Sequence, residues 1–317
     1  MTRESDFITS LRAIATHPAA RGLWDDAAVL AVSGELVLTH DMMVEGVHFL
    51  PTCPADDVAW KLVAVNLSDL AAKGAQPLGV LLGYAFGDDD AWDGDFAGGL
   101  AAALVHFDTP LLGGDTVAMP SRAPRALGLT AIGQALPTGA PARTGAKAGD
   151  HLWVTGQIGD AGIGLAIAKG DRHGPDILLA RYRRPTPRLA FGRAAAALVH
   201  AMADVSDGLL IDAARIASAS GLAVHLDLAA TPISPALAEV SGDGREARLA
   251  AATAGDDYEL LFAAPVEAEG RIRAVAADQG LSVTLIGRFA AGCGLHLSDD
   301  GEPIAAPGRL GFEHGAK

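Results

Sequence analysis

Cysteine is almost missing from this chain. Cys53 and Cys293 are the only two in 317 residues. They are too few and too far apart for a disulfide framework or a cysteine-built zinc cluster, and they suit a reducing compartment. Neither has a nucleophile's context, so both read as packing or surface residues. Clustered positive charge is missing too: the net charge is −14 and no Lys/Arg run stands out. That argues against unassisted binding to nucleic acid or to an anionic membrane. No uninterrupted apolar run is long enough to span a bilayer. The first residues, Met1 to Asp6, open onto an amphipathic stretch rather than a signal peptide's apolar region. Together these absences predict a soluble, cytoplasmic protein.

The familiar nucleotide motifs are absent as well. No Gly-x-x-x-x-Gly-Lys-Ser/Thr occurs, which excludes a P-loop. The stretch Gly156-Gln-Ile-Gly-Asp-Ala-Gly-Ile-Gly lacks Gly-x-Gly-x-x-Gly spacing and argues against a Rossmann site. The protein-kinase strand lysine and His-Arg-Asp loop are missing. No histidine pair has zinc spacing, and there is no short-period repeat.

What is present is globular: half the residues are hydrophobic and a fifth are charged, with length for one large domain or two ordinary ones. Apolar spacing predicts helices over 7–17, 55–73 (closed by Gly74), 92–106, 161–168 and 206–220 (closed by Gly221). Strands are predicted at 78–85, 110–112, 125–134, 151–155, 223–228, 258–263 and 282–286. Two further runs, 27–32 and 35–39, flank Ser33-Gly34 and read as a hairpin. Pro185 and Pro187 forbid a continuous helix over 181–188. The Pro/Gly-rich stretch 136–150 is the predicted domain boundary. The pattern is mixed α/β in two domains.

Aspartates recur at the ends of predicted strands and the starts of helices: Asp25 and Asp26, Asp41, Asp69, Asp115, Asp204 and Asp207, Asp256 and Asp257. Carboxylates gathered in one cleft repel one another and call for a cation, and hard oxygen donors suit Mg²⁺. Each also has a plain structural reading. Asp25, Asp26 and Asp115 sit in turn contexts, and Asp204, Ser206 and Asp207 suit a helix N-terminus. Asp69 is harder to explain that way. In Val63-Ala-Val-Asn-Leu-Ser-Asp-Leu it lies three residues after Asn66, on one helical face amid apolar neighbours. An unpaired carboxylate buried there is costly, so a metal or ligand partner accounts for it better than a solvated stripe.

In order, the segments Asp-Asp-Ala-Ala-Val (25–29), Leu-Thr-His-Asp-Met-Met-Val-Glu-Gly-Val-His-Phe (38–49) and Val-Asn-Leu-Ser-Asp-Leu-Ala-Ala-Lys-Gly-Ala (65–75) resemble thiamine-monophosphate kinases. So do Gly-Gly-Asp-Thr (113–116), Asp-Val-Ser-Asp-Gly-Leu (204–209), Gly-Asp-Asp-Tyr-Glu-Leu-Leu-Phe (255–262) and Ile-Gly-Arg (286–288). The resemblance spans essentially the whole chain, and Val-Glu-Gly-Val-His-Phe is its most specific piece. That family belongs to the aminoimidazole-ribonucleotide-synthetase-like superfamily. The resemblance implies a two-domain α/β, PurM-like fold. Residues 1–138 would bind ATP and metal and dimerise, their mixed sheet forming a barrel across a homodimer, and residues 139–317 would form a C-terminal α/β domain. It implies phosphorylation of thiamine monophosphate to thiamine diphosphate, with ATP phosphates held by several Mg²⁺ ions on aspartates.

Carried over by motif, the metal ligands would be Asp26, Thr39, Asp41, Asp69, Asp115, Asp204 and Asp207, with His40 counted beside Asp41; Asp69 and Asp207 would be the catalytic pair. Gly114, Asp115, Arg143 and Ser206 would meet ATP, with Phe96 where the family places an aromatic near the nucleotide. His48, Asp256 and Phe312 would line the thiamine phosphate site. Three positions depart from the family pattern: Trp24 for Gly, His40 for Thr or Ser, and Asp256 for Glu. The competing readings are another ATP-dependent superfamily member, such as aminoimidazole ribonucleotide synthetase, and a non-catalytic Mg²⁺- or nucleotide-binding regulator. Selenophosphate synthetase needs a reactive cysteine near its start, and residues 1–52 hold none.

Overall fold

The structure is a computed structural model and describes residues 3–313. Contacts divide the chain into two units. One runs to Leu70 and resumes over Gln76–Pro137; the other takes Ala71–Ala75 and the chain from Thr138 onward.

The first unit contains α1 (Arg3–Ile14), β1 (Leu36–Val44), α2 (Ala55–Ala72), β2 (Gln76–Phe86), α3 (Asp90–His106), β3 (Leu111–Ala118) and β4 (Ala126–Gln134). Its four strands form a mixed sheet in the order β1-β4-β2-β3. β4 runs antiparallel to both β1 and β2, and β3 runs parallel to β2. Side chains alternate across a strand, so one sheet face carries the buried Met43, Leu82, Tyr84, Leu127 and Leu129. The Tyr84 hydroxyl donates to Asp93 of α3 at 2.6 Å, and its ring meets Phe96 at 5.0 Å. The other face exposes Leu38, Met42 and Val117, at 64%, 53% and 52%.

The second unit contains β5 (His151–Thr155), α4 (Asp160–Ala168), α5 (Asp176–Arg183), α6 (Leu189–Ala195), β6 (Ala201–Asp204), α7 (Leu209–Ala219) and β7 (Ala223–Asp227). They are followed by α8 (Pro235–Ser241), α9 (Arg245–Ala254), β8 (Leu260–Ala264), α10 (Glu269–Asp278), β9 (Val283–Ala290), β10 (Gly294–Asp299) and β11 (Glu302–Ile304). Seven strands make one mixed sheet, β11-β10-β7-β9-β5-β8-β6. One core cluster joins Leu152 and Val154 to α7 and α9 residues; a second joins Trp153 and Phe262 to α6 and α10 residues. Gly74, which follows α2, has φ +60°, and an added Cβ would lie 2.5 Å from Ala196 Cβ. Both observations require glycine there. Among the described residues, no helix is long and apolar enough to cross a membrane.

Four expectations change. Residues 27–32 are not a strand: Val29 and Val32 stand exposed in irregular chain, and the partner of β1 is β4, far along the sequence. A short apolar run with no buried face to fill has nothing to hold it in a sheet. The predicted strand at 110–112 extends to Ala118 because β2 offers it a full parallel edge. The strand list gains β6, β10 and β11. The helix predicted from Ser206 starts at Leu209, which leaves Ser206 and Asp207 in the preceding loop. The break at 181–188 stands, since α5 ends at Arg183 before Pro185.

Candidate functional site

In the first unit, β1 and α2 bring three of the sequence-selected residues together. Alternation along β1 turns Thr39 and Asp41 to the same face as the buried Met43. From α2, the three-residue spacing aims Asn66 and Asp69 at that strand. Thr39 Oγ1 donates to Asp69 Oδ2. The Asn66 side chain is fully buried; its Oδ1 accepts the Asp41 N–H at 3.0 Å and its Nδ2 donates to Leu62 O at 2.9 Å. Asn66 thus fixes the strand, leaving Asp69, which is only part-buried, as the residue with chemistry to offer.

The remaining first-unit positions lie elsewhere. His40 points to the opposite face and bonds Thr130 Oγ1 at 2.9 Å, so it does not join Thr39, Asp41 and Asp69. Asp26 is exposed in the irregular stretch before β1. His48 Nδ1 accepts the Val44 N–H at 3.0 Å and closes the turn after β1. Phe96 is 0% exposed, packed on Tyr84 and Trp92; it is core, and we assign it no ligand contact. Gly114 and Asp115 are on β3, at the sheet edge opposite β1. The register Met42–Gly128–Gly83–Asp115 spans the sheet, and three strand spacings are about 14 Å. A side chain at Gly114 is excluded, since its Cβ would lie 2.1 Å from Leu82 O.

In the second unit the match is closer. Asp204 is buried at the end of β6. From there the loop is laced to two other segments: Asp256 N–H donates to Ser206 O, Tyr258 N–H to Val205 O and Phe312 N–H to Asp207 O, each at 2.8 Å. Asp204, Ser206, Asp207, Asp256 and Phe312 therefore converge, although up to 108 positions separate them in the chain. Phe312 is 38% exposed. Asp256 has φ +65°, a region Asp tolerates better than most residues, and its Oδ1 accepts the Tyr258 hydroxyl at 2.9 Å. Arg143 is exposed in a 3-10 turn, its carbonyl accepting from Ser220 Oγ at 3.1 Å.

Comparison with known proteins decides the family. Residues 24–135 match the N-terminal domain of AIR synthase related proteins, and residues 147–300 match their C-terminal domain. The thiamine-monophosphate kinase of Caulobacter vibrioides is 43% identical over 94% of this chain and 86% of its own. The chain belongs to the thiamine-monophosphate kinase family. The crystal structure of the Stenotrophomonas maltophilia thiamine-monophosphate kinase superposes with a TM-score of 0.84 at 37% identity, over 96% of this chain and 97% of that one. A ThiL structure complexed with AMPPCP and TMP superposes at 0.76 with 29% identity, over 92% and 91%.

Two residues of this family member were not singled out from sequence. Asp212, 1% exposed, accepts the N–H groups of Ser206 at 3.2 Å and Asp207 at 3.1 Å, which shapes the loop. Arg215 shares its Nη1 between Asp207 and Asp212. Burial pushes the Asp212 carboxyl above the usual range, and Arg215 pulls it back in part. The signal was available: a carboxylate inside the apolar run Leu209-Leu-Ile-Asp, with an arginine three residues on.

The donor set fits Mg²⁺. Among the described residues no group of three or more His, Cys, Asp or Glu can hold a metal alone. The paired oxygens of Thr39 with Asp69 would leave positions for phosphate oxygens and water, as Mg²⁺ prefers. Arg215 already lies against Asp207 as a tethered cation.

Next to Asp256, Asp257 faces a cavity of about 260 Å³ that Asp160, Arg181 and Arg188 also line. Burial, aided by the nearby Glu259, Asp160 and Asp256 charges, holds the Asp257 carboxyl well above its ordinary value, against the pull of the Gly159 N–H. A carboxyl raised in the folded state costs stability when ionised, fully so above its folded pKa, and the cost vanishes as pH falls to the ordinary carboxylate value. Asp257→Asn retains an acceptor for Gly159. It is expected to melt higher than the parent at pH 8, by about 1 kcal/mol or roughly 2–4 °C, with the gap closing near pH 4. Melting curves at both pH values check this; a gap independent of pH would refute it.

Proposed function

We propose that the chain transfers the γ-phosphoryl group of ATP to thiamine monophosphate, giving thiamine diphosphate and ADP. The observation that carries this reading is the convergence of Asp204, Ser206, Asp207, Asp256 and Phe312 in one loop cluster, at the positions where the family motifs occur. The Thr39, Asp41 and Asp69 group supports it from the first unit, and the relative complexed with AMPPCP and TMP supports the substrate pair.

Asp26, Thr39, Asp41, Asp69, Asp115, Asp204 and Asp207 would hold several Mg²⁺ ions, Gly114, Arg143 and Ser206 would meet ATP, and His48, Asp256 and Phe312 would line the acceptor site. Bound Mg²⁺ would neutralise two polyanions and let them approach in line. The acceptor's phosphate oxygen is already anionic near neutral pH, so no side chain has to act as a general base. It forms the new P–O bond as the bond from Pγ to the β,γ-bridging oxygen breaks, and no enzyme residue is phosphorylated. The protein's share is position and electrostatics: Asp212 and Asn66 fix the backbone that presents Asp207 and Asp41. Incubation with ATP, Mg²⁺ and thiamine monophosphate should release ADP and thiamine diphosphate, with free thiamine a poor acceptor. Efficient turnover of thiamine, or none of its monophosphate, would sink the proposal.

We further propose a homodimer through the first unit. Among the described residues β1 and β3 are the edge strands of their sheet, and the sheet's open face is apolar at Leu38, Met42 and Val117. Asp115 is too far across the sheet to meet Asp41 of its own chain, so a second copy would supply it. Light scattering should give twice the chain mass at micromolar concentration. Mixing by co-expression of the inactive variants Asp69→Asn and Asp115→Asn should restore part of the activity, because one site of each mixed dimer is then intact. A monomer, or mixed dimers with no activity, would overturn this assembly.

A further inference from the structure

Four strands of the second sheet carry a row of basic side chains. The register pairs His296 of β10 with His225 of β7, His225 with Arg288 of β9, and Arg288 with His151 of β5. Residues in register share a sheet face, so the row crosses about 14 Å of surface. The rings of His225 and His296 stack with centroids 4.7 Å apart and planes 15° from parallel. This is the face of Trp153, which lies 6.3 Å from His151. There α10 covers one part of the sheet, through Ile272 and Ala276. Beside that cover, the row lines a groove of about 640 Å³.

Three features point to an anion. The first is charge: in a chain of net charge −14, burial and the neighbouring His296 and Arg288 hold the His225 imidazole below its ordinary value. The row thus disfavours the protonated ring as it stands, and an anion seated among these side chains would favour it. Second, donors lack acceptors. Among the described residues Arg288 has no carboxylate partner, and His151 Nδ1 is buried with no hydrogen-bond partner. Third, the acids nearby are few. Asp227, two residues along β7, is the carboxylate that lines the groove and accepts from the Ser298 hydroxyl at 3.5 Å, and Glu269 of α10 is paired with Arg273. A transition metal fits poorly, because near-parallel imidazoles do not converge their lone pairs and no third ligand joins them.

We propose that this groove is a second anion site, which takes the phosphate group of a small metabolite with Arg288 as its bidentate anchor and the flanking imidazoles as further donors. It uses none of the residues clustered around Asp204, although Arg288 closes the Ile-Gly-Arg segment that carries part of the family resemblance.

The test follows the imidazole NMR signals of the full chain, labelled with ¹⁵N-histidine, during titration with inorganic phosphate at constant pH and ionic strength. Single His→Gln variants identify the three signals. Those of His151, His225 and His296 should move together and saturate, and Arg288→Gln should weaken the response at least about tenfold while melting stays unchanged. Phenyl phosphate is the second probe: tighter binding than inorganic phosphate identifies an organic phosphate as the ligand, and equal binding a bare oxyanion. Signals that drift without saturating, that saturate identically in Arg288→Gln, or that respond to Zn²⁺ at lower concentration than to phosphate would overturn the site.

Discussion

Asp69→Asn is expected to lower turnover at least about a hundredfold, the scale of losing one strong electrostatic contact in a site, while the fold survives. Asparagine has the same shape and still offers an oxygen to Thr39 Oγ1, the hydrogen bond seen in the structure. What it lacks is the negative charge that would offset a bound cation. The metal-free variant should melt within a few degrees of the parent, or above it, because a part-buried carboxylate has been neutralised. Asn66→Ala, one helical turn earlier, is the contrast. It strips a fully buried side chain from the Asp41 N–H and the Leu62 carbonyl, so its effect should appear first in melting, at about 1–3 kcal/mol. ADP release and thermal melting of both variants separate the roles. Normal turnover in Asp69→Asn would remove Asp69 from the site, and a collapsed transition would make its carboxylate structural.

The largest stability loss is expected at Glu259. Its carboxylate, 6% exposed, takes both the Nε and Nη2 groups of Arg188 and also accepts the Thr155 hydroxyl at 2.6 Å. Thr155 Oγ1 in turn accepts the Leu260 N–H at 2.8 Å, so the network ties β5 to the start of β8. Truncation leaves a guanidinium buried without its counter-charge, a loss of about 3–5 kcal/mol. For a unit of this size that lowers the melting temperature by about 10 °C. Glu259→Ala should therefore unfold early, and Arg188→Met in the same chain should recover part of the loss by removing the stranded charge. Calorimetry of the two variants checks the pair; a double variant no more stable than the single one would mean that Glu259 acts through something other than Arg188. The neighbouring backbone reports the same crowding: a Cβ at Gly156 would lie 2.0 Å from Glu259 Oε1.

The parts legible in sequence share one property: their signal is local. The helix over Ala55–Ala72 shows apolar residues at helical spacing and a closing glycine, and it forms as predicted. The Asp204–Leu209 segment is recognisable by its resemblance to a family motif, a short contiguous stretch of sequence. The failures are local patterns that depended on a distant partner. Residues 27–32 have a strand's composition but no strand to pair with. β6, Ala-Met-Ala-Asp, is buried on both faces, so it shows no alternation, and its partner β8 lies far along the chain. Gly159 and Asp257, and Arg188 and Glu259, are likewise joined only by folding.

By itself the sequence carried the family: motif segments in order along the chain resemble thiamine-monophosphate kinases, and comparison with known members bears that out. Those properties reside in residue type and short spacing, which folding does not alter. Tertiary structure alone decided which donors meet. Strand alternation turned Thr39 toward Asp69 and His40 away from it, and sheet order put Asp115 at the far edge from Asp41. Register lined up His151, Arg288, His225 and His296 from three distant stretches of chain. Each of these depends on which strands become neighbours, and that is set by the summed burial of two cores rather than by any local pattern.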